Sequence, residues 1–129
     1  MSGRVLLDSN IIIGLFAEDA AVKQGVIEAD EVFIPIIVIG ELYYGARNSG
    51  QSEINVMRID TFVSHNVILD CDSRTASHYR IVKHGLKGKG RPIPENDIWI
   101  AAIAIQHGLR LISRDEHFFY VDKLSWEKW

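Results

Sequence analysis

The chain has 129 residues, of which 47% are hydrophobic and 24% charged, with a formal net charge of −3. That length accommodates one domain over residues 1–129 and is short for two, and the apolar fraction excludes an intrinsically disordered chain. The longest apolar run, Val32 to Gly40, falls well short of the ~20 residues a membrane span needs. Asp8 breaks any secretory-type apolar segment. The single cysteine, Cys71, leaves neither an internal disulfide framework nor a cysteine zinc site. The expectation is a reduced, cytoplasmic protein with no membrane partner.

In chain order, Arg4 to Leu7 reads as a buried strand ending at Asp8, and Ile11 to Phe16 as a short helix. Ala20 to Ala29 reads as a second helix with Asp19 as its N-cap. Val32 to Ile34 is a strand stopped by Pro35, which opens a third helix running to about Arg47. Glu53 to Val63 has helical spacing, and Val67 to Leu69 is strand-like. Ser73 or Asp72 caps a basic helix running toward Gly85, and Gly85, Gly88, Gly90 and Pro92 mark a loop. Pro94 to Gln106 is an apolar helix closed by His107-Gly108. Leu109 to Ile112 is a strand, and Phe118 to Val121 is expected to be the last one. Alternation of strands and helices predicts an α/β fold with a mostly parallel central sheet of about five strands flanked by helices. Ligands then bind beyond the carboxyl ends of the strands.

Charge is unevenly placed. Between Asp72 and Glu95 there is no acid, while Arg74, Arg80, Lys83, Lys87, Lys89 and Arg91 all fall there; the rest of the chain holds eight basic and seventeen acidic residues. Such asymmetry points to an anionic ligand near one face and a cation elsewhere; the same stretch also reads as a solvated basic helix. Two carboxylates are out of place. Asp8 is the only charged residue from Val5 to Ala17, and Glu41 the only one from Pro35 to Ala46. A carboxylate drawn into apolar surroundings is costly unless compensated. Helix capping would account for Asp8, and pairing with a base or exposure for Glu41. Asp97 in the first turn of a helix complements its dipole, and Asp115 sits in a polar turn. Taken together, Asp8 and Asp115 follow strand ends, and Glu41 and Asp97 lie on flanking helices. Carboxylates gathered there repel one another unless a divalent cation neutralises them. With no cysteine or histidine cluster, hard oxygen ligands select Mg²⁺ or Mn²⁺.

Four segments carry a resemblance. Leu7-Asp8-Ser9-Asn10, Ile39-Gly40-Glu41-Leu42-Tyr43-Tyr44-Gly45-Ala46, Asn96-Asp97-Ile98-Trp99-Ile100-Ala101-Ala102 and Leu111-Ile112-Ser113-Arg114-Asp115-Glu116-His117-Phe118 are similar, in this order, to the motifs of PIN-domain ribonucleases of the VapC toxin type. The resemblance implies a PIN-like three-layer fold. It implies a tetrad of Asp8, Glu41, Asp97 and Asp115, both metal-binding and catalytic, around one or two Mg²⁺ or Mn²⁺ ions. It places Asn10 and Ser113 beside the acids as supports. It implies RNA hydrolysis leaving a 3′-hydroxyl and a 5′-phosphate, a homodimer, and a cognate antitoxin protein as partner.

Arg74, Arg80, Lys83, Lys87, Lys89 and Arg91 would then grip flanking phosphates. His78, His84 and His117 are not required as acid–base groups, and Trp99, Tyr43 and Tyr44 are expected in core or dimer packing. The alternatives are a non-catalytic PIN-fold module binding nucleic acid or protein, which has no need of clustered acids, and phosphoryl transfer through an aspartyl-phosphate at Asp8. The second usually pairs its nucleophile with an aspartate two positions on, where this chain has Asn10.

Overall fold

A computed structural model describes residues 3–129 of the chain. Its first strand, β1 (Arg4–Leu7), holds Val5, Leu6 and Leu7 at 1% exposure or less. Successive strand residues point to opposite faces. Burial of all three therefore means that both faces of the sheet are covered, as in parallel sheets between helical layers.

The chain leaves β1 through Asp8, whose carboxylate caps α1 (Ser9–Phe16) by accepting from the Ser9 amide at 2.8 Å. Asp19 caps α2 (Ala20–Glu28) in the same way, through the Ala21 and Val22 amides. β2 (Glu31–Pro35) runs straight into α3 (Ile36–Arg47), with Pro35 at the junction and no side-chain cap. α4 (Ser52–Ser64) packs on α3, and β3 (Val67–Leu69) follows. α5 (Ser73–Gly88) opens with a capping box: the Asp72 carboxylate accepts from the Thr75 amide, and the Thr75 hydroxyl accepts from the Asp72 amide, both at 3.0 Å. α6 (Glu95–His107) ends at Gly108, whose φ of +63° is the left-handed conformation that stops a helix. β4 (Arg110–Ile112) and β5 (Trp126–Glu127) complete the sheet.

All five strands are parallel, in the order β3-β2-β1-β4-β5. From β1 the chain moves outward through β2 to β3, then returns to the other side of β1 with β4. The order reverses between β1 and β4, which is where an open α/β sheet has its crevice. The Leu7↔Ile112 pairing brings the carboxyl ends of these strands level, so the residues after them, Asp8 and Ser113 to Asp115, share that crevice. The core lies on both sides, with Leu6, Ile11, Ile34, Ile100, Ile103 and Phe118 fully buried.

Two expectations are corrected. Phe118 to Val121 is not a strand: Glu116–Tyr120 forms a 3₁₀ turn. Its burial has a period of three, with Phe118 and Val121 buried and Phe119 exposed between them, which suits a 3₁₀ turn and not the alternation of a strand. The fifth strand is instead the two-residue Trp126–Glu127, too short to leave a hydrophobic pattern; backbone bonds fix it, from the Leu111 amide to the Ser125 carbonyl and from the Ser113 amide to the Glu127 carbonyl. The basic helix also continues past Gly85 to Gly88. A lone glycine weakens a helix by only about 1 kcal/mol, and packing against α6 carries the helix through it.

Candidate active site

The β1/β4 crevice collects side chains from four separate segments. Asp8 is 2% exposed. Its Oδ1 accepts the Ser9 amide, and its Oδ2 accepts the Ser113 hydroxyl at 2.6 Å. Asn10, in the first turn of α1, extends its Nδ2 toward Asp8 Oδ2 at 3.5 Å, Ser113 Oγ at 3.3 Å and Asp115 Oδ2 at 3.3 Å. Its Oδ1 accepts the Arg114 amide at 3.1 Å. One side-chain amide thus ties the end of β1 to the loop after β4. Ser113, fully buried, also accepts the Asp115 amide at 3.0 Å.

Glu41 projects from the middle of α3. Its Oε2 accepts the Asn96 side-chain amide at 3.3 Å, while its Oε1 is buried with no hydrogen-bond partner among the described residues. Asp97 lies in the first turn of α6 at 7% exposure. No side-chain cap bond forms at Pro94, the residue before this helix. Instead Asp97 Oδ2 meets His117 Nε2 at 2.7 Å, too poorly aligned for a regular hydrogen bond but close enough for an ion pair. Asp97, Asp115 and His117 can each offer one ligand atom with all three within 4.8 Å of one another.

The electrostatics match the crowding. Burial raises the Asp8 carboxyl pKa; hydrogen bonds from Ser113 and Ser9 oppose this, and the Asp115 charge adds to it. Burial likewise raises Glu41, opposed by the Asn96 hydrogen bond and reinforced by the charges of Asp8 and Asp115. Asp97 is pushed up to about 6, first by burial and then by the negative charge of Asp8, with His117 pulling the other way. Acids that repel each other inside a fold are stabilised by a cation. The donor set, carboxylate oxygens with one imidazole, suits a hard divalent ion, and Glu41 Oε1 meets no donor among the described residues. The residues present fit such an ion.

Residues 5–124 match the PIN domain family. This chain belongs to the PIN-domain family. Among its relatives, Ribonuclease VapC2 of Haemophilus influenzae is 35% identical over 135 aligned residues covering 98% of each chain. The tRNA(fMet)-specific endonuclease VapC of Shigella flexneri is 31% identical, again over 98% of both. Among solved structures, the Rickettsia felis VapBC2 complex bound to a DNA fragment from its promoter contains a chain that superposes with a TM-score of 0.89, at 26% identity over 98% of each chain. The chain thus sits with the VapC-type PIN proteins, and its α/β architecture is theirs.

All four expected acids and both expected supports, Asn10 and Ser113, meet at this crevice. The capping explanation of Asp8 also holds, because one carboxylate oxygen caps α1 while the other faces the cluster. Two participants lie outside the expected set: Asn96, which hydrogen-bonds Glu41, and His117. The last was obscured by expecting a strand from Phe118, since the 3₁₀ turn is what brings His117 back beside Asp97. The basic residues are more dispersed. Arg74, Arg80 and Lys87 are exposed on α5. Lys83 pairs with Glu95 at 3.0 Å and Lys89 with Asp122 at 2.6 Å. Arg91 lies 4.3 Å above the Tyr120 ring. Trp99 stacks on Tyr79 at 4.1 Å, as packing. Among the described residues no helix is long and apolar enough to cross a membrane.

Proposed function

We propose that this VapC-type chain hydrolyses phosphodiester bonds of RNA with one or two Mg²⁺ or Mn²⁺ ions held by Asp8, Glu41, Asp97 and Asp115. The supporting observation is the convergence of four carboxylates from four segments on one crevice, with Glu41 Oε1 buried and without a hydrogen-bond partner among the described residues. A divalent ion supplies charge neutralisation at the phosphoryl oxygens and a lowered pKa for the attacking water.

The protein's own groups prepare that chemistry. Ser9 and Ser113 hold both oxygens of Asp8, so this carboxylate cannot rotate freely. Asn10 bridges Asp8, Ser113 and Asp115, and fixes the loop after β4 through the Arg114 amide. Such supporting bonds keep an anionic cluster in register before substrate arrives. His117 Nε2, 2.7 Å from Asp97 Oδ2, offers the cluster an imidazole ligand atom. The exposed bases of α5, Arg74, Arg80 and Lys87, supply sequence-independent attraction for the RNA backbone, with Lys83, Lys89 and Arg91 joining as RNA phosphates compete for their present partners. A purely binding PIN module would gain nothing from repelling carboxylates.

The same proposal includes a cognate antitoxin, a homodimer, cytoplasmic action and a single domain over residues 1–129. Cleavage of a single-stranded RNA should require Mg²⁺ or Mn²⁺ and stop with chelator. Asp8→Asn and Glu41→Gln should each reduce turnover by about a hundredfold or more. Metal-dependent thermal stabilisation should shrink in both. Chelator-resistant cleavage would exclude the metal mechanism, and folded variants at the parent rate would remove those residues from it.

A further inference from the structure

Beyond the acidic cluster the 3₁₀ turn continues into two aromatic residues of opposite fate. Phe118 is 1% exposed, whereas Phe119 is 72% exposed. A cleft of about 400 Å³ is lined by Glu116, His117, Phe119, Tyr120 and Trp126. Its His117 wall is the imidazole that touches Asp97, so the cleft opens directly beside the acids. Phe119 meets Tyr120 nearly perpendicular, with centroids 5.5 Å apart, a contact that leaves most of its surface to solvent.

Two cations stand against Tyr120, one of them, Lys89, also paired with Asp122 at 2.6 Å, a pair that RNA phosphate would have to displace. The Arg91 guanidinium lies over Tyr120, and Lys89 donates to the Tyr120 carbonyl at 2.9 Å. Glu116, the one acid in the lining, is paired with Lys128. An exposed aromatic ring, packed on a tyrosine that Arg91 and Lys89 contact and lying beside the acidic crevice, has the makings of a single-stranded nucleic-acid site: the ring takes a base and the cations take its phosphates.

We propose that Phe119 is a nucleobase platform, on which the base of a nucleotide next to the scissile phosphate stacks while Arg91 and Lys89 attract the adjoining phosphates. The proposal rests on the ribonuclease function and adds to it a requirement for an unpaired nucleotide. A base inside a duplex has no free face to offer. Purines, with the larger π-face, are favoured at this position.

The test uses the full chain and short single-stranded oligoribonucleotides carrying 2-aminopurine at each position in turn, with Ca²⁺ for binding and Mg²⁺ for cleavage. Fluorescence of 2-aminopurine is quenched on stacking. The parent should quench it at one position beside the cleavage point. Phe119→Ala should lose that quenching and raise KM by about tenfold, the scale of one lost base–aromatic stack, and Phe119→Trp should restore both. Because the side chain is exposed, the melting temperature of each variant should stay near that of the parent, confirming that folding is not the cause. Unchanged quenching and KM in Phe119→Ala would overturn the platform while leaving the ribonuclease function standing. Loss of a dimer in that variant with quenching intact would also overturn it, assigning the ring to a contact between copies. A parent that cleaves no RNA with Mg²⁺ or Mn²⁺ would instead overturn the underlying function.

Discussion

At the scale of single residues, Asp97 carries the clearest energetic signature. Its carboxyl is raised from an ordinary 3.8 to about 6, with burial the largest cause. The folded state therefore keeps a proton that the unfolded chain has already released. The stability this contributes is present below the unfolded value and lost as pH rises through about 6. Asp97→Asn has no such proton to lose. In chelator, the parent's melting temperature should fall relative to that variant between about pH 4 and 6.5, leaving the variant more stable at pH 7 by roughly 5 °C. Added Mg²⁺ should reverse the order by stabilising the parent alone. A pH-independent difference between the two would show that burial imposes no penalty on Asp97. Asp8 and Glu41 were legible in the sequence for this same reason, as lone charges inside apolar runs. Asp97 and Asp115, in polar turns, became legible only as part of a motif set. His117 was not, because its role depends on a 3₁₀ turn whose signal is a spacing of three over only a few residues.

At the scale of elements, the sequence revealed segments whose caps and periodicity agree: β1, α2 with Asp19, and α6 with Gly108. It missed what long-range contacts impose. β5 exists because β4 offers it a backbone edge, and residues in and after it fasten the loop that follows β4. Arg114 donates to the Trp129 carbonyl and to the Asp19 carboxylate, both at 2.9 Å, while the Trp126 indole donates to the Ser113 carbonyl at 3.0 Å. The Trp129 ring lies so close to α2 that a Cβ at Gly25 would sit 2.5 Å from it. Alanine there would favour the helix by about 1 kcal/mol but must displace the indole, and overpacking typically costs about 1–3 kcal/mol. Gly25→Ala should therefore be destabilising, by a few degrees in melting temperature, and should also lower cleavage by loosening the loop that bears Asp115 and His117. Scanning calorimetry beside an RNA cleavage assay checks this. A more stable Gly25→Ala would mean that Trp129 does not hold that position in solution.

At the scale of the whole molecule, apolar surface remains that the fold does not cover. Tyr43 and Tyr44 are expected in core or dimer packing, beside Leu42 on the same helix. In the structure Leu42 is buried and the Tyr43 hydroxyl bonds to Asp60 at 2.5 Å, leaving Tyr44 outside at 74% exposure. Exposed apolar residues continue elsewhere, with Ile13 on α1 and Ile54 and Met57 on α4. A cleft of about 330 Å³ between α1, α3 and α4 includes Ile13, Phe16 and Leu42 and reaches Glu41. Contiguous apolar surface of this kind on a small domain marks a protein interface. The occupant expected here is the antitoxin, seating an apolar segment in the cleft and turning a basic side chain toward Glu41, where it competes with the metal. The isolated chain should be a dimer by light scattering at micromolar concentration; a monomer there would refute the homodimer. Ile13→Ser, at a position 57% exposed, removes apolar contact without opening the core. It should weaken antitoxin binding by about tenfold, the worth of roughly 1.4 kcal/mol. Calorimetric titration of antitoxin into both proteins decides the matter: equal affinities would place the antitoxin on another face, and binding unaffected by Mg²⁺ would separate it from the acidic crevice.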